Sequence, residues 1–161
     1  MGRAIRPNKR YTLVVAGLGD VHHQEMAVPF KKRLTVTEAD LQMPDTKKWK
    51  LSIPKPDSRA ALTVAFRQML DYNSLQQRLV VTDSDNNPLK GTIIIEKQET
   101  EWTFRPSMPW KQGTYVLDVN SRLEDPEGNN LNGLFDHKIG ELNLKKEGVI
   151  IRIPFNIKNN G

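Results

Sequence analysis

The sequence contains no cysteine and only three histidines among its 161 residues. The absence of cysteine excludes disulfides, thiolate zinc sites, iron–sulfur clusters and cysteine nucleophiles within this chain. Three histidines also leave few ligands for a histidine-rich metal centre. Much of redox and metal chemistry is therefore excluded before any motif is considered.

Long hydrophobic runs are also missing. The longest apolar stretch near the start runs from Tyr11 to Leu18 and follows four basic residues. It is far shorter than the roughly 18 apolar residues that a membrane helix requires, so no membrane span is expected. No small-residue cleavage pattern follows it, so we interpret it as a strand rather than a signal peptide. If the protein is exported, we expect its signal to lie upstream of this chain.

Neither sign of charge dominates the composition. Twenty-four Lys and Arg stand against nineteen Asp and Glu, which gives a formal net charge of +5. This surplus is too small to indicate nucleic-acid binding, and nucleic acid is not expected as a partner. The basic clusters at residues 31–33, 47–48 and 145–146 are typical of solvated strand edges, where lysine prevents unwanted pairing.

What the sequence does contain is hydrophobic alternation with a period of two. Strands are predicted at residues 11–15, 62–66, 79–82, 92–96, 101–105, 114–120 and 149–157. The last run begins almost entirely apolar, which predicts burial on both faces. One short helical turn is predicted between Met69 and Gln77, capped by Asp71 or Asn73. This pattern, with no βαβ alternation, predicts an all-β, antiparallel sandwich.

The connections between the predicted strands carry turn-forming residues. Residues 83–88 are rich in Asp and Asn, which tolerate left-handed backbone angles and cap their own turns. Residues 97–100 are predicted to form a tight hairpin. Prolines and a change of composition between residues 37 and 56 indicate a linker, so we place a boundary near residue 40 and expect two domains, 1–40 and 41–161.

Two segments of the chain are similar to each other. Each has a basic turn, an alternating strand, an Asp-led polar loop, and then an apolar residue and a phenylalanine. The first copy comprises residues 9–15, 19–26 and 29–30, and the second comprises residues 111–117, 124–131 and 134–135. The match includes an insertion of a few residues.

A longer pattern over residues 49–135 resembles a bacterial Ig-like domain of the surface-layer (SbsA) type. The segments that carry the resemblance are Leu62-Thr63-Val64-Ala65-Phe66, Met69-Leu70-Asp71, Leu75-Gln76-Gln77, Glu101-Trp102-Thr103-Phe104-Arg105-Pro106, Lys111-x-Gly113-Thr114-Tyr115 and Leu123-Glu124-Asp125-x-x-Gly128-Asn129-x-Leu131. Within that pattern, residues 1–40 resemble the C-terminal part of a preceding Ig-like repeat. They depart from it at His22-His23-Gln24, where the family usually has Gly-Asn.

The resemblance implies an Ig-like β-sandwich over residues 41–161, with an extra N-terminal hairpin or partial repeat. It implies an extracellular, cell-surface or periplasmic location and no catalysis. Neighbouring Ig-like repeats or other surface proteins are the implied partners. Residues 7–36 cannot close a sandwich alone, so we expect them to pair with the second domain or with another chain.

Calcium is the first binding chemistry to consider. Asp83-x-Asp85-x-Asn87 has the alternating oxygen ligands with which a calcium loop begins, but Pro88 occupies the position where such loops have glycine. A polar turn explains the same residues. The acidic loop formed by Glu124, Asp125 and Glu127 is a second candidate with the same structural alternative.

Other candidate sites are weaker. His22 and His23 are adjacent, so in extended backbone they point to opposite faces, and His137 is distant in sequence. Gly17-x-Gly19 lacks the third glycine of a dinucleotide site. Acid pairs such as Asp83 with Asp85 or Glu124 with Asp125 are imaginable as glycosidase acids, but nothing locates a cleft. Trp49 and Trp110 are candidate stacking surfaces, and a glycan contact through Trp110 is one alternative.

The leading hypothesis is a non-catalytic structural or adhesion module of an exported bacterial protein. No catalytic, cofactor-binding or metal-ligating residue is assigned, and no cofactor is expected. The second hypothesis is a module that binds a glycan or calcium. The third is an accessory domain of a larger extracellular enzyme whose active site lies outside this chain.

Overall fold

The computed structural model describes residues 5–133 and 148–159. It divides the chain into two compact units, Met1–Asp40 and Leu41–Gly161. The first unit holds two strands, β1 (Arg10–Val15) and β2 (Phe30–Thr35), which pair antiparallel. These strands are the extra N-terminal hairpin that the sequence predicts.

The second unit contains the remaining elements. In chain order they are a 3-10 turn at Thr46–Lys48, β3 (Lys50–Ser52), β4 (Leu62–Ala65), helix α1 (Tyr72–Gln77), β5 (Leu79–Thr82), β6 (Gly91–Glu96), β7 (Glu101–Pro106), β8 (Gly113–Asn120) and β9 (Ile150–Ile157). Two antiparallel sheets result, one in the order β3-β4-β7-β6 and one in the order β5-β8-β9. The prediction of an all-β antiparallel sandwich is confirmed.

One apolar core joins the two sheets. Alternating residues of β4 and β7 meet alternating residues of β5, β8 and β9, as period-two strands require when one face is buried. Aromatic rings fill the centre, where Trp102 lies parallel to Phe104 with centroids 6.0 Å apart and Trp110 contacts Tyr115 edge-on at 5.1 Å. Such contacts add to the stabilisation that burial of the rings provides.

Strand β9 differs from its prediction. Its alternate residues Ile151, Ile153, Phe155 and Ile157 face the core, whereas Ile150 is 48% exposed. The prediction of burial on both faces is therefore wrong. The physical reason is that β9 is an edge strand, paired only with β8 among the described strands, and Pro154 on this strand provides no donor for a further partner.

The predicted helical turn and tight hairpin are both present. Asp71 caps α1, since its carboxylate accepts a hydrogen bond from the Ser74 backbone N–H at 2.7 Å. The hairpin between β6 and β7 places three consecutive residues, 97–99, at φ values between 52° and 58°. Backbone N–H groups of Phe66 and Leu70 bind the carbonyls of this loop, which holds it against the sandwich.

No helix among the described residues has the length and apolar character needed to cross a membrane.

Candidate functional site

Three loops share one hydrogen-bonded geometry, and each is led by an aspartate: Asp20, Asp83 and Asp125. In every case Oδ1 of the aspartate accepts hydrogen bonds from the backbone N–H groups two and four residues later. The distances are 2.8 and 2.9 Å for Asp20, 2.9 and 2.9 Å for Asp83, and 3.0 and 2.9 Å for Asp125. The side chain thus replaces backbone partners that a five-residue turn leaves open.

The backbone of the three loops also matches. An isolated antiparallel bridge closes each loop, at residues 19 and 25, 82 and 88, and 124 and 130. The fourth loop residue is left-handed in each, namely His23 at φ 61°, Asn86 at 65° and Gly128 at 84°. The departure at His22-His23-Gln24 therefore leaves the loop shape intact. The similarity of the Asp83 loop to the other two was not recognised from the sequence, although an Asp followed four residues later by an amide side chain marks all three.

Calcium was considered at Asp83, Asp85 and Asn87. In the structure the Asp83 carboxylate already accepts hydrogen bonds within its own turn. Asp83 accepts the two backbone bonds on Oδ1 and the Asn87 side-chain amide on Oδ2 at 3.2 Å. The pKa of Asp83 lies below its ordinary value, chiefly because the Asn87 backbone N–H stabilises the charged carboxylate. These contacts agree with the polar-turn interpretation, and calcium binding here stays a prediction.

The second acidic candidate behaves in the same way. Asp125 is buried, and its Oδ2 accepts hydrogen bonds from the side-chain amides of Asn129 at 3.1 Å and Gln68 at 3.4 Å. Both carboxyl oxygens therefore have internal donors, as buried polar groups require. Its geometry fits a structural role rather than that of a glycosidase acid.

The histidines form no described ligand set with one another. His22 and His23 both lie exposed in the Asp20 loop, where the His22 backbone N–H is one of the donors to Asp20. His137 lies outside the described residues. The expectation that these histidines are loop residues is consistent with the position of the first two.

The tryptophans divide into buried and accessible side chains. Trp110 is 1% exposed and donates its indole N–H to the Ala60 carbonyl at 2.8 Å, so it presents no face to a glycan. The sequence interpretation of Trp110 as a stacking surface is therefore wrong. Trp102 is fully buried as well, whereas Trp49 is half-buried.

Trp49 lines a surface groove that the sequence only partly indicates. The other lining residues are all cationic and exposed: Lys47, Lys48, Lys50 and Arg67. The groove has a volume of about 590 Å³. Arg67 was missed because it is distant in sequence, and only the pairing of β3 with β4 brings it beside the lysines. We call these five residues the basic groove.

A second accessible surface lies on the hairpin of the first unit. In its register, Tyr11 is opposite Leu34 and Val15 is opposite Phe30, while Leu13 is opposite Lys32. Directly opposed residues point to the same side, so five of these six side chains form one apolar face. We call it the hairpin apolar face. Its side chains are accessible, since Leu13 is 47% exposed and Phe30 is 51% exposed.

The pair β8–β9 shows how such a face is covered in the second unit. There Tyr115 is opposite Phe155, Leu117 is opposite Ile153, and all four belong to or pack against the core. β5 pairs with the other side of β8, and the four-stranded sheet, helix α1 and the adjoining loops supply the rest of that core. The hairpin β1–β2 has the same order of strand, Asp loop and antiparallel strand without these neighbours in its own unit.

Comparison with known proteins found no matching curated protein and no matching solved structure. A family model described as bacterial Ig-like domain matches residues 52–139, which is more than half of the chain. The matched segment contains β4 to β8 and the Asp83 and Asp125 loops, which is most of the sandwich, whereas β9 and nearly all of β3 lie outside it. The chain belongs to the bacterial Ig-like domain family.

Proposed function

We propose that this protein is a structural or adhesion module of an exported bacterial protein and that it has no catalytic activity of its own. Family membership supports the proposed lack of catalytic activity, because bacterial Ig-like domains are generally non-catalytic modules. The acid pairs considered above support it as well. Asp83 and Asp125 are each committed to a turn by three or more hydrogen bonds.

We further propose that residues 1–40 are the C-terminal part of a neighbouring Ig-like repeat. The observation that carries this proposal is the hairpin apolar face. A two-stranded hairpin is marginal by itself in water, and a contiguous apolar face of this kind marks an interaction surface. The matching geometry of the Asp20 and Asp125 loops supports the same assignment.

The comparison with β8–β9 specifies what the neighbour contributes. A strand would pair with the side of β1 that no other described strand occupies, as β5 pairs with β8, and a sheet would cover the hairpin apolar face. The opposite face of the hairpin carries Arg10, Lys31 and Arg33, which suits it for solvent. The neighbouring repeat or another surface protein of the same fold would thus complete a second sandwich.

Substitution of adjacent β1 residues tests this proposal. Leu13 and Val14 are 47% and 51% exposed but point to opposite faces of the hairpin. We expect the full chain to associate as its concentration rises and Leu13→Lys to abolish this association, while Val14→Lys leaves it unchanged. Light scattering measures the mass. An equal loss of association in the two variants, or residues 1–36 that tumble as a flexible tail in NMR relaxation, would contradict the proposal.

Two further measurements address the alternatives. Thermal unfolding with and without millimolar calcium is expected to give the same melting temperature, because a ligand that binds the folded state would raise it. A large rise would instead support binding at the Asp83 or Asp125 loop.

Hydrolase turnover by the purified chain would contradict the absence of catalysis. A glycan-binding role is favoured by a separate observation, the basic groove.

A further inference from the structure

We propose that the basic groove binds an acidic polysaccharide, with a sugar ring against the indole of Trp49 and the carboxylates of the polymer on the surrounding cations. This site is additional to the structural role and does not depend on the assignment of residues 1–40. All five of its residues lie in the second unit.

The groove is built by the end of one strand pair. Lys50 is opposite Ala65 in the β3–β4 register, so Trp49 comes beside Phe66 just beyond the strands. Their rings make an edge contact with centroids 4.8 Å apart. Trp49 also packs against the core cluster, which fixes the indole in place while part of it stays accessible. An aromatic side chain held in this way loses little entropy when a ligand contacts it.

The charge around Trp49 is concentrated and of one sign. Four cations line the groove, whereas the whole chain carries a net charge of only +5. One of them, Lys48, has an ion pair with Asp45 at 3.7 Å, and both side chains are exposed enough that the pair is weak. The groove is shallow and open to solvent. Cations clustered on such a surface still raise the local concentration of anionic ligands.

The four cations of the basic groove are not all explained as residues that protect a strand edge from unwanted pairing. β3 is an edge strand of three residues, and Lys50 is sufficient to interrupt pairing there. Lys47 lies in the preceding 3-10 turn and Arg67 follows β4, so neither blocks the β3 edge. Their convergence on an accessible indole is what points to a ligand.

The combination of one indole with four surrounding cations favours an acidic sugar polymer over a nucleic acid. Sequence-tolerant binding of single strands uses several aromatic side chains along one basic groove, and this groove has one. A sugar ring has an apolar C–H face that matches a single indole and a polar rim that matches cations. Lysine and arginine stems add apolar lining beside the ring.

Trp49 is also a convenient reporter. The chain has three tryptophans, and the other two, Trp102 and Trp110, are buried. Acrylamide quenching of the full chain therefore reports mainly on Trp49. We expect oligogalacturonate to protect the fluorescence from acrylamide and a neutral galactan of the same length to give no protection. Rising salt should weaken the binding, because exposed charges are screened.

A pair of double variants separates this site from general charge. We expect Lys47→Ala with Arg67→Ala to weaken oligogalacturonate binding about tenfold, since two charge-assisted contacts are lost. The matched control, Lys55→Ala with Lys158→Ala, removes the same charge from exposed positions elsewhere and should bind like the parent. Calorimetry measures the affinity, and circular dichroism checks that both variants are folded.

Each remaining outcome would overturn the proposal. Equal protection by neutral galactan would show that charge is not recognised. Equal or tighter binding of inorganic polyphosphate would show that no sugar ring is required, and tighter binding of an oligothymidine would indicate a nucleic-acid site. Equal losses in the two double variants, or no protection by oligogalacturonate, would show that the basic groove is not the site. None of these results bears on the mass measurements that test the hairpin.

Discussion

The strand pairs β1–β2 and β8–β9 have the same plan and opposite surroundings. In each, a strand is followed by an Asp-led loop and is paired antiparallel with a later strand. In β8–β9 the inward residues belong to or pack against a core, whereas Leu13 and Phe30 on the hairpin apolar face are about half exposed. The local sequence is therefore enough to form the pair and its loop, but burial of the apolar face requires further strands.

The two strand pairs should differ most in the loss of stability that a leucine-to-alanine substitution causes. Leu117→Ala in β8 should lower the free energy of unfolding by about 3 kcal/mol, because a fully buried leucine leaves a cavity. At protein concentrations where the chain is monomeric, Leu13→Ala in β1 should change the free energy of unfolding by less than about 0.5 kcal/mol, as is usual at exposed positions. Amide hydrogen exchange at increasing urea concentration measures the stability of each unit separately. A large cost of Leu13→Ala in the monomer would contradict the exposed position of this side chain.

The loop aspartates give the second comparison. Asp125→Ala should cost about 2 kcal/mol, because it removes a buried acceptor and leaves several donors unpaired. Asp20→Ala removes the same kind of turn contact at an exposed site and should not alter unfolding of the second unit. Tryptophan fluorescence during urea unfolding measures that unit, since all three tryptophans belong to it. Equal effects would show that the two units unfold together.

Much of the sandwich was predictable because its strands alternate. Tyr115, Leu117 and Val119 face the core as their period-two spacing predicts, and Asp71 caps the helix as predicted. β9 was mispredicted because an apolar run cannot reveal whether a strand is central or at an edge. Whether a strand is central or at an edge depends on its neighbours. Here β8 pairs with one side of β9, and no other described strand pairs with the opposite side.

The candidate sites were less predictable than the fold. The basic groove depends on Arg67 coming beside Lys47 and Lys48, which follows from the β3–β4 pairing and not from any local motif. Trp110 was mispredicted as a candidate stacking surface, whereas its indole is packed against Tyr115 and Phe155. Side-chain burial depends on tertiary contacts that a single sequence does not display.

The Asp83 loop extends the comparison to pH. Its folded-state pKa is depressed below the ordinary 3.8, chiefly by the Asn87 backbone N–H, so the carboxylate stabilises the folded loop while it is charged. That contribution is present above pH 3.8 and is lost as the pH falls through the lower folded pKa. A carboxyl NMR titration should place the midpoint of Asp83 below 3.8, and a midpoint at or above this value would contradict the hydrogen-bonded turn. Asp83→Asn should remove the contribution of this carboxylate to the pH dependence of folding stability.

The smallest expected effect compares the outward faces of the two pairs. In β8–β9 the Arg152 Nε donates to Asp118 Oδ1 at 3.2 Å across directly opposed positions, whereas Arg33 in β1–β2 is opposite Thr12. Arg152→Ala should lower the free energy of unfolding by about 0.5 kcal/mol, as is usual for a partly exposed pair. The loss should shrink in 1 M salt, because the Debye length falls to about 3 Å there. Arg33→Ala should have no effect at either salt concentration. A salt-independent loss in Arg152→Ala would assign its role to packing or to the hydrogen bond that Arg152 donates to the Asn86 side-chain oxygen.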